Sequence, residues 1–191
     1  MKIFAVLVIF TLHTAVALSS ASASSVSNCT WQALKQERRD YILTEYERSM
    51  ERGAAALTAQ DTEIMAASAK CAGRDDIPPP LLKAAIGSFA IQAGMAQALT
   101  RQWGIGRETL EHYWTQAPEA ARNCFLSNSA KVFGVEGPNC TDAKAILWFP
   151  QALDIPVTQD VSGPAGQVLI FYNAKAQNSL AEEMLGRLIT G

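Results

Sequence analysis

A run of 17 residues without a charge, 84–100, constrains the fold of this chain more than any other feature. It reads AAIGSFAIQAGMAQALT and follows closely on three consecutive prolines, 78–80. Proline fits the first turn of a helix because its φ is already helical there, so we expect a helix to begin at this point. A helix that is apolar almost all round is buried either in a protein core or in a membrane.

Small residues form a strip along this predicted helix, which another helix can approach closely. They recur every three or four positions, at Gly87, Ala90, Gly94 and Ala98. Gln92 and Gln97 would face lipid poorly, and the run is shorter than the ~20 residues of a spanning helix. We therefore predict a buried central helix over about 81–100, with membrane association through 84–100 as a less favoured alternative.

The first 23 residues have the three parts of a secretory signal peptide. Lys2 supplies the positive start, 3–18 is largely apolar, and Ala-Ser-Ala at 21–23 matches the A-x-A type of cleavage site. We expect cleavage after Ala23, which leaves 24–191 as one exported domain, secreted or periplasmic. An uncleaved signal-anchor is the alternative, but 3–18 is short for a spanning helix.

Export determines how the cysteines are interpreted, because exported proteins retain disulfides. The four are Cys29, Cys71, Cys124 and Cys140. They allow three pairings, and we favour Cys29–Cys71 with Cys124–Cys140 because neighbours along the chain meet most easily. A zinc site is a poor alternative, since no two cysteines have C-x-x-C spacing and only one histidine lies outside the leader. We expect no metal and no cofactor.

Most of the remaining chain has helical periodicity. Further helices are predicted over 30–52, 58–71, 107–116, 118–128, 141–150 and 179–188, the last from a capping box formed by Ser179 and Glu182. Two runs, 155–161 and 167–172, flank a Ser-Gly-Pro-Ala-Gly turn and predict a small β-hairpin. The predicted fold is mainly α: a single-domain helical bundle around the 81–100 helix, with a C-terminal β-hairpin and two disulfides.

Composition excludes some classes of partner. Charged residues make up 18% of the chain and the formal net charge is −2, so the basic excess of a nucleic-acid-binding protein is missing. We expect no nucleic-acid partner. Asn28 and Asn139 each begin an N-x-T triplet, which is a glycosylation acceptor only in a eukaryotic secretory pathway.

The best candidate for chemistry lies on the predicted helix 107–116. Glu108 and His112 are one helical turn apart there, and Glu111 is adjacent to the histidine. Neither the H-E-x-x-H motif nor the paired E-x-x-H of di-iron bundles is present, and a solvated helix face has the same pattern. A hydrolase of extracellular polysaccharide that uses these residues is therefore an alternative function.

Two tryptophans are candidate binding residues. Trp103 and Trp114 could line a cleft for a sugar or an apolar ligand, although aromatic residues at helical spacing more often form the core. No motif indicates a nucleophile or a phosphate site. We therefore expect an exported, non-catalytic binding or interaction protein, with an unidentified protein partner or a small apolar ligand.

Overall fold

The computed structural model describes residues 25–158, 160 and 162–191. The predicted signal peptide, 1–23, lies outside the described residues. In the described part every regular element is helical, so the mainly α prediction is confirmed. The helices are α1 (Val26–Ala33), α2 (Gln36–Arg48), α3 (Met50–Thr58), α4 (Asp61–Ala72), α5 (Pro79–Trp103), α6 (Arg107–Gln116), α7 (Glu119–Ala130), α8 (Ala143–Ala152) and α9 (Pro164–Thr190).

Two long helices, α5 and α9, pack against each other at the centre of the bundle. α5 begins at Pro79, within the proline triplet, and extends over 25 residues. Its uncharged run is largely buried, with Ala85, Ala90 and Leu99 fully inaccessible to solvent. The predicted central helix is therefore present, and it contacts α1 and α2 as well as α9.

The predicted β-hairpin is wrong. Residues 167–172 belong to α9, which begins at Pro164, and the described residues of 155–161 form no strand. A short apolar run fits a buried helix as well as a buried strand, so its periodicity cannot distinguish them. Burial decides the outcome here, because α9 packs on α5, α7 and α8. Its fully buried side chains include Val168, Phe171 and Tyr172.

The capping box predicted at the start of a last helix is also wrong, because Ser179 lies in the middle of α9. Glu182 serves a different helix. Its carboxylate accepts hydrogen bonds from the backbone N–H groups of Val26 at 3.0 Å and Ser27 at 2.7 Å. The first N–H groups of a helix have no partner within it, so Glu182 stabilises the start of α1 from across the bundle.

The single helix predicted over 30–52 is three helices, α1, α2 and the start of α3. The backbone is extended at Leu34 and again at Ser49, which interrupts the helical hydrogen bonds. The Ser49 hydroxyl then accepts from the N–H of Arg52 at 3.2 Å and begins α3. Thr30, where that predicted helix begins, is buried inside α1 and donates to the Ser68 hydroxyl at 3.3 Å.

Two disulfides cross-link the bundle. Cys29–Cys71 joins α1 to α4, and Cys124–Cys140 joins α7 to the loop before α8. These are the pairings that the chain order favoured, and no described cysteine is free. Two such bonds are compatible with an oxidising location. In the part of the chain that the structure describes, no helix has the length and apolarity to cross a bilayer.

Candidate functional site

The three residues predicted for catalysis lie together on α6. Glu108, Glu111 and His112 border a shallow surface depression of about 650 Å³, beside Arg107 and Thr115. All of these residues come from three turns of one helix. The sequence spacing therefore placed them correctly on one face, and the described residues that line the depression all belong to α6.

Glu111 forms ion pairs with two basic residues, whereas Glu108 and His112 are exposed to solvent. One Glu111 oxygen is 2.5 Å from the Lys175 ammonium of α9, and the other is 3.7 Å from the Arg107 guanidinium. Among the described residues no hydrogen bond joins Glu108 to His112. A proton relay needs such contact, within about 2.6–3.2 Å. The described residues also hold no group of three potential ligands for a metal ion.

The two candidate tryptophans have different environments. Trp114 stacks on Phe149 and Tyr172, with ring centroids 5.8 and 6.0 Å away, and this stack belongs to the core. Trp103 ends α5 and remains 50% exposed. Trp114 therefore has a packing role, and Trp103 is a surface residue.

A second cavity, which we call the groove, lies where the α2–α3 junction, α5 and the start of α9 meet. Its volume is about 360 Å³, and it is more enclosed than the α6 depression. Small-molecule sites span about 300–1,000 Å³, so the groove has the size of such a site. Its lining combines apolar and polar side chains, among them Tyr46, Met50, Met95, Ile170, Glu47 and Gln167.

Ion pairs between one glutamate and two arginines stabilise the α2–α3 junction. Glu45, which is 5% exposed, accepts hydrogen bonds from Arg48 and, at 2.6 Å, from Arg52. The hydrogen bond from Arg52 is the main reason that the pKa of the Glu45 carboxyl lies below its ordinary value of 4.5. The three side chains hold α2 and α3 across the break at Ser49, and so shape this end of the groove.

Tyr46 packs closely against two glycines, Gly53 and Gly94. A Cβ added at Gly53 would lie 2.1 Å from the Tyr46 ring, and one at Gly94 would lie 2.5 Å from the Tyr46 Cβ. Real Cβ atoms do not approach this closely, so only glycine fits at either position. Burial raises the pKa of Tyr46 to about 12, because the phenolate loses water there. The small-residue strip of α5 thus admits an aromatic ring at Gly94, in addition to its packing on helices.

Two buried oxygen atoms of groove residues have no hydrogen-bond partner among the described residues. They are Oε1 of Glu47 and Oε1 of Gln167. The other Glu47 oxygen accepts from the Arg101 guanidinium at 2.9 Å. The Gln167 amide N–H₂ donates to the Ser162 carbonyl at 3.0 Å and to the Gln102 amide oxygen at 3.2 Å. Buried polar atoms are nearly always paired in folded proteins, so these two are exceptions that need an explanation.

An apolar depression of about 440 Å³ adjoins the groove. The two share Met50 and Ile170 in their linings, and the depression continues over Ile91, Phe125 and Leu169. The depression lies between α3, α5, α7 and α9, and its lining is mainly apolar but also includes Asn173 and Gln177. The groove is therefore the more polar of these two adjoining parts of the surface.

Sequence reasoning missed the groove. Glu47 was expected within the helix predicted over 30–52, and Gln167 was expected in a strand. The unpaired atoms come from residues 120 positions apart in the chain, so no local spacing connects them. No family model, curated protein or solved structure shows significant similarity to the chain.

Proposed function

We propose that this protein is an exported, non-catalytic binding protein whose groove takes a small molecule. The observation that carries the proposal is the groove together with its apolar neighbour, continuous through Met50 and Ile170. Small-molecule sites combine an apolar lining with a few placed polar groups, and this surface has both.

The alternatives have less support from the geometry. A hydrolase on α6 would use Glu108 and His112, which are both exposed, and Glu111, which is already paired with Lys175. Membrane association through 84–100 would require the central helix to leave its partners, because most of this run is buried against the rest of the bundle.

The proposed export rests on the sequence of 1–23 and is supported by the two disulfides. A protein that works outside the reducing cytosol benefits from such bonds, because they persist there and restrict the unfolded chain. The disulfide-linked bundle would then present a preformed site, which lowers the entropic cost of binding.

Methionine methyl groups offer a direct test of small-molecule binding. Met50 and Met95 line the groove, whereas Met65 and Met184 pack against the smaller core cluster around Leu81. In protein labelled with ¹³C at its methionine methyl groups, we expect 1-hexanol to shift the signals of Met50 and Met95 in a saturable way. Met65 and Met184 serve as internal controls. Equal shifts at all four, or none at any, would contradict the proposal.

A further inference from the structure

We propose that the groove takes a single-chain amphiphile, whose alkyl chain extends along the seam between α5 and α9 into the apolar depression. The seam is the line along which these two helices meet, from Gln102 and Gln167 at the groove to Ile91 and Gln177 at the depression. This inference rests on the proposed function, because it names the class of small molecule that the groove takes.

The lining residues of the two cavities form one stripe on each helix. Residues three or four positions apart lie on the same face of a helix. On α5 this spacing connects Ile91 in the depression to three groove residues, Met95, Ala98 and Gln102. On α9 it connects the groove to the depression through Gln167, Ile170, Ala174 and Gln177. Each helix therefore presents a single face to both cavities.

Two hydrogen bonds show that the stripes run side by side in opposite directions. Nε2 of Gln167 donates to Oε1 of Gln102 at 3.2 Å. Further along, Nε2 of Gln92 donates to the Ala174 carbonyl at 3.4 Å. Residue numbers fall along α5 as they rise along α9, so the two helices are antiparallel. The groove and the depression therefore occupy successive levels of one seam.

Met50 and Ile170 form the boundary between the two cavities, because each of them lines both. Both side chains are partly buried and pack against the main core. Methionine has three rotatable side-chain bonds and adapts to irregular shapes, so Met50 can adjust to a ligand that passes it. Beyond this boundary the partly buried side chains of Ile91 and Leu169 continue the apolar surface.

The dimensions of the seam favour an alkyl chain over a protein segment. Between Gln167 and Gln177, α9 rises by about 15 Å. An extended alkyl chain advances about 1.25 Å per carbon, so about ten to twelve carbons cover this length. A helix with its side chains is about 10–12 Å across, and a stable protein interface buries about 800 Å² on each partner. Cavities of about 360 and 440 Å³ are too small for either.

The polar head of the amphiphile belongs at the groove end of the seam. The groove lining includes Ser49, Gln102 and Ser162, whose exposed side chains carry hydroxyl or amide groups. The depression has a mainly apolar lining, and Phe125 lies there with only 7% of its surface exposed. A hydroxyl head should therefore lie in the groove, and the terminal methyl group of the tail should lie in the depression.

Alcohols of increasing length test the proposal in protein labelled with ¹³C at its methionine and isoleucine methyl groups. Of the two cavities, Met95 reports on the groove and Ile91 on the depression, whereas Met65 and Ile77 belong to the smaller core cluster and serve as controls. We expect the dissociation constant to fall about twofold or more per added methylene from 1-hexanol through 1-octanol to 1-decanol, because full burial of a methylene is worth about fourfold.

NOEs within the 1-decanol complex show where each end of the chain lies. We expect one bound molecule per protein, with NOEs from its C1 methylene protons to Met95 and from its terminal methyl group to Ile91. Equal affinities for 1-hexanol and 1-decanol, or 1-decanol bound without an NOE to Ile91, would overturn the proposal. The reversed pattern of NOEs would overturn the placement of the head.

A substitution in the depression provides the second arm. Asn173 is partly buried and lines the depression, so Asn173→Trp fills this space with an indole ring. It should weaken 1-decanol about tenfold and leave the affinity for 1-hexanol in the groove unchanged. Ser179→Trp, on the exposed surface of the same helix, is the matched control and should change neither. Unfolding curves establish that both variants are folded, and wild-type affinity of folded Asn173→Trp for 1-decanol would refute the proposal.

The outcome with 1-hexanol separates this proposal from the proposed function. If 1-hexanol shifts Met50 and Met95 but 1-decanol binds no more tightly, only the extended-chain proposal fails. If none of the three alcohols shifts these methyl signals, the proposed function fails with it.

Discussion

The packing of Tyr46 against Gly94 predicts that glycine-to-alanine substitutions at two positions of α5 change the free energy of unfolding in opposite directions. At Gly94 an added Cβ would lie 2.5 Å from Cβ and 3.1 Å from Cγ of Tyr46. At Gly87 the nearest such atom is Cδ2 of Leu57, at 4.0 Å. Because the Tyr46 Cβ is bonded directly to the backbone, it cannot rotate away. Gly94→Ala must therefore move α2 away from α5, whereas Gly87→Ala fits without any movement.

The size of the effect follows from two opposing contributions. Replacing a glycine inside a helix by alanine stabilises it by about 0.5–1 kcal/mol, so Gly87→Ala should raise the free energy of unfolding by that amount. Overpacking costs about 1–3 kcal/mol, and we take the upper end at Gly94 because backbone must move. The net loss for Gly94→Ala is then about 2 kcal/mol. The two variants should differ by about 3 kcal/mol, or about 6–12 °C in Tm.

Urea unfolding with intact disulfides, followed by circular dichroism, measures both free energies under the same conditions. Gly87→Ala is the matched control, since it makes the same chemical change in the same helix. If Gly94→Ala is as stable as Gly87→Ala, Tyr46 does not pack against Gly94 and α2 does not lie this close to α5.

Three further predictions concern the bundle and the leader. The hydrogen bond from Arg52 lowers the pKa of Glu45, so the ionised Glu45 carboxylate contributes to stability above the ordinary value of 4.5, and this contribution is lost as the pH falls through the lowered value. Between pH 6 and 3 the urea midpoint of Glu45→Gln should therefore fall less steeply than that of the wild-type protein. The same pH dependence in both proteins would show that Glu45 does not stabilise the α2–α3 junction. Replacing Cys124 and Cys140 together by Ala should reduce the free energy of unfolding by about 3 kcal/mol, as expected for a 16-residue loop, and an unchanged urea midpoint would refute this. N-terminal sequencing of exported protein should begin after Ala23, and a start at Met1 would disprove cleavage.

The fold was predictable where one local signal dominated. The proline triplet and the uncharged run 84–100 identified α5, because 17 successive residues without a charge indicate a helix that is apolar on nearly every face. The chain order of the cysteines favoured the pairs that the structure contains. These features depend on residues close together in the chain, so their spacing was informative.

The prediction failed where tertiary packing determined the local structure. Val168 and its apolar neighbours favour a strand by composition, but burial against α5 makes them helical. Glu182 has the spacing of a capping box, yet it binds the start of α1, more than 150 residues earlier in the chain. Its true partner depends on how α9 packs, which the local pattern does not contain.

The candidate site also has a part that local spacing predicted and a part that only tertiary packing determines. Glu108, Glu111 and His112 share a face of α6, as their spacing required, but spacing could not show that Lys175 pairs with one of the acids. The groove depends on Glu47 and Gln167, which belong to different helices, α2 and α9. Neither residue is exceptional within its own segment, so only the packed structure brings them to attention.

Intermolecular NOEs test the claim that the groove binds a small molecule most directly. With 1-hexanol bound to the methionine-labelled protein, we predict NOEs from the alkyl protons of the probe to the methyl groups of Met50 and Met95. The methyl groups of Met65 and Met184 should show none, because they pack in the smaller core cluster. Saturable binding without NOEs to Met50 and Met95, or with NOEs only to Met65 and Met184, would contradict the claim.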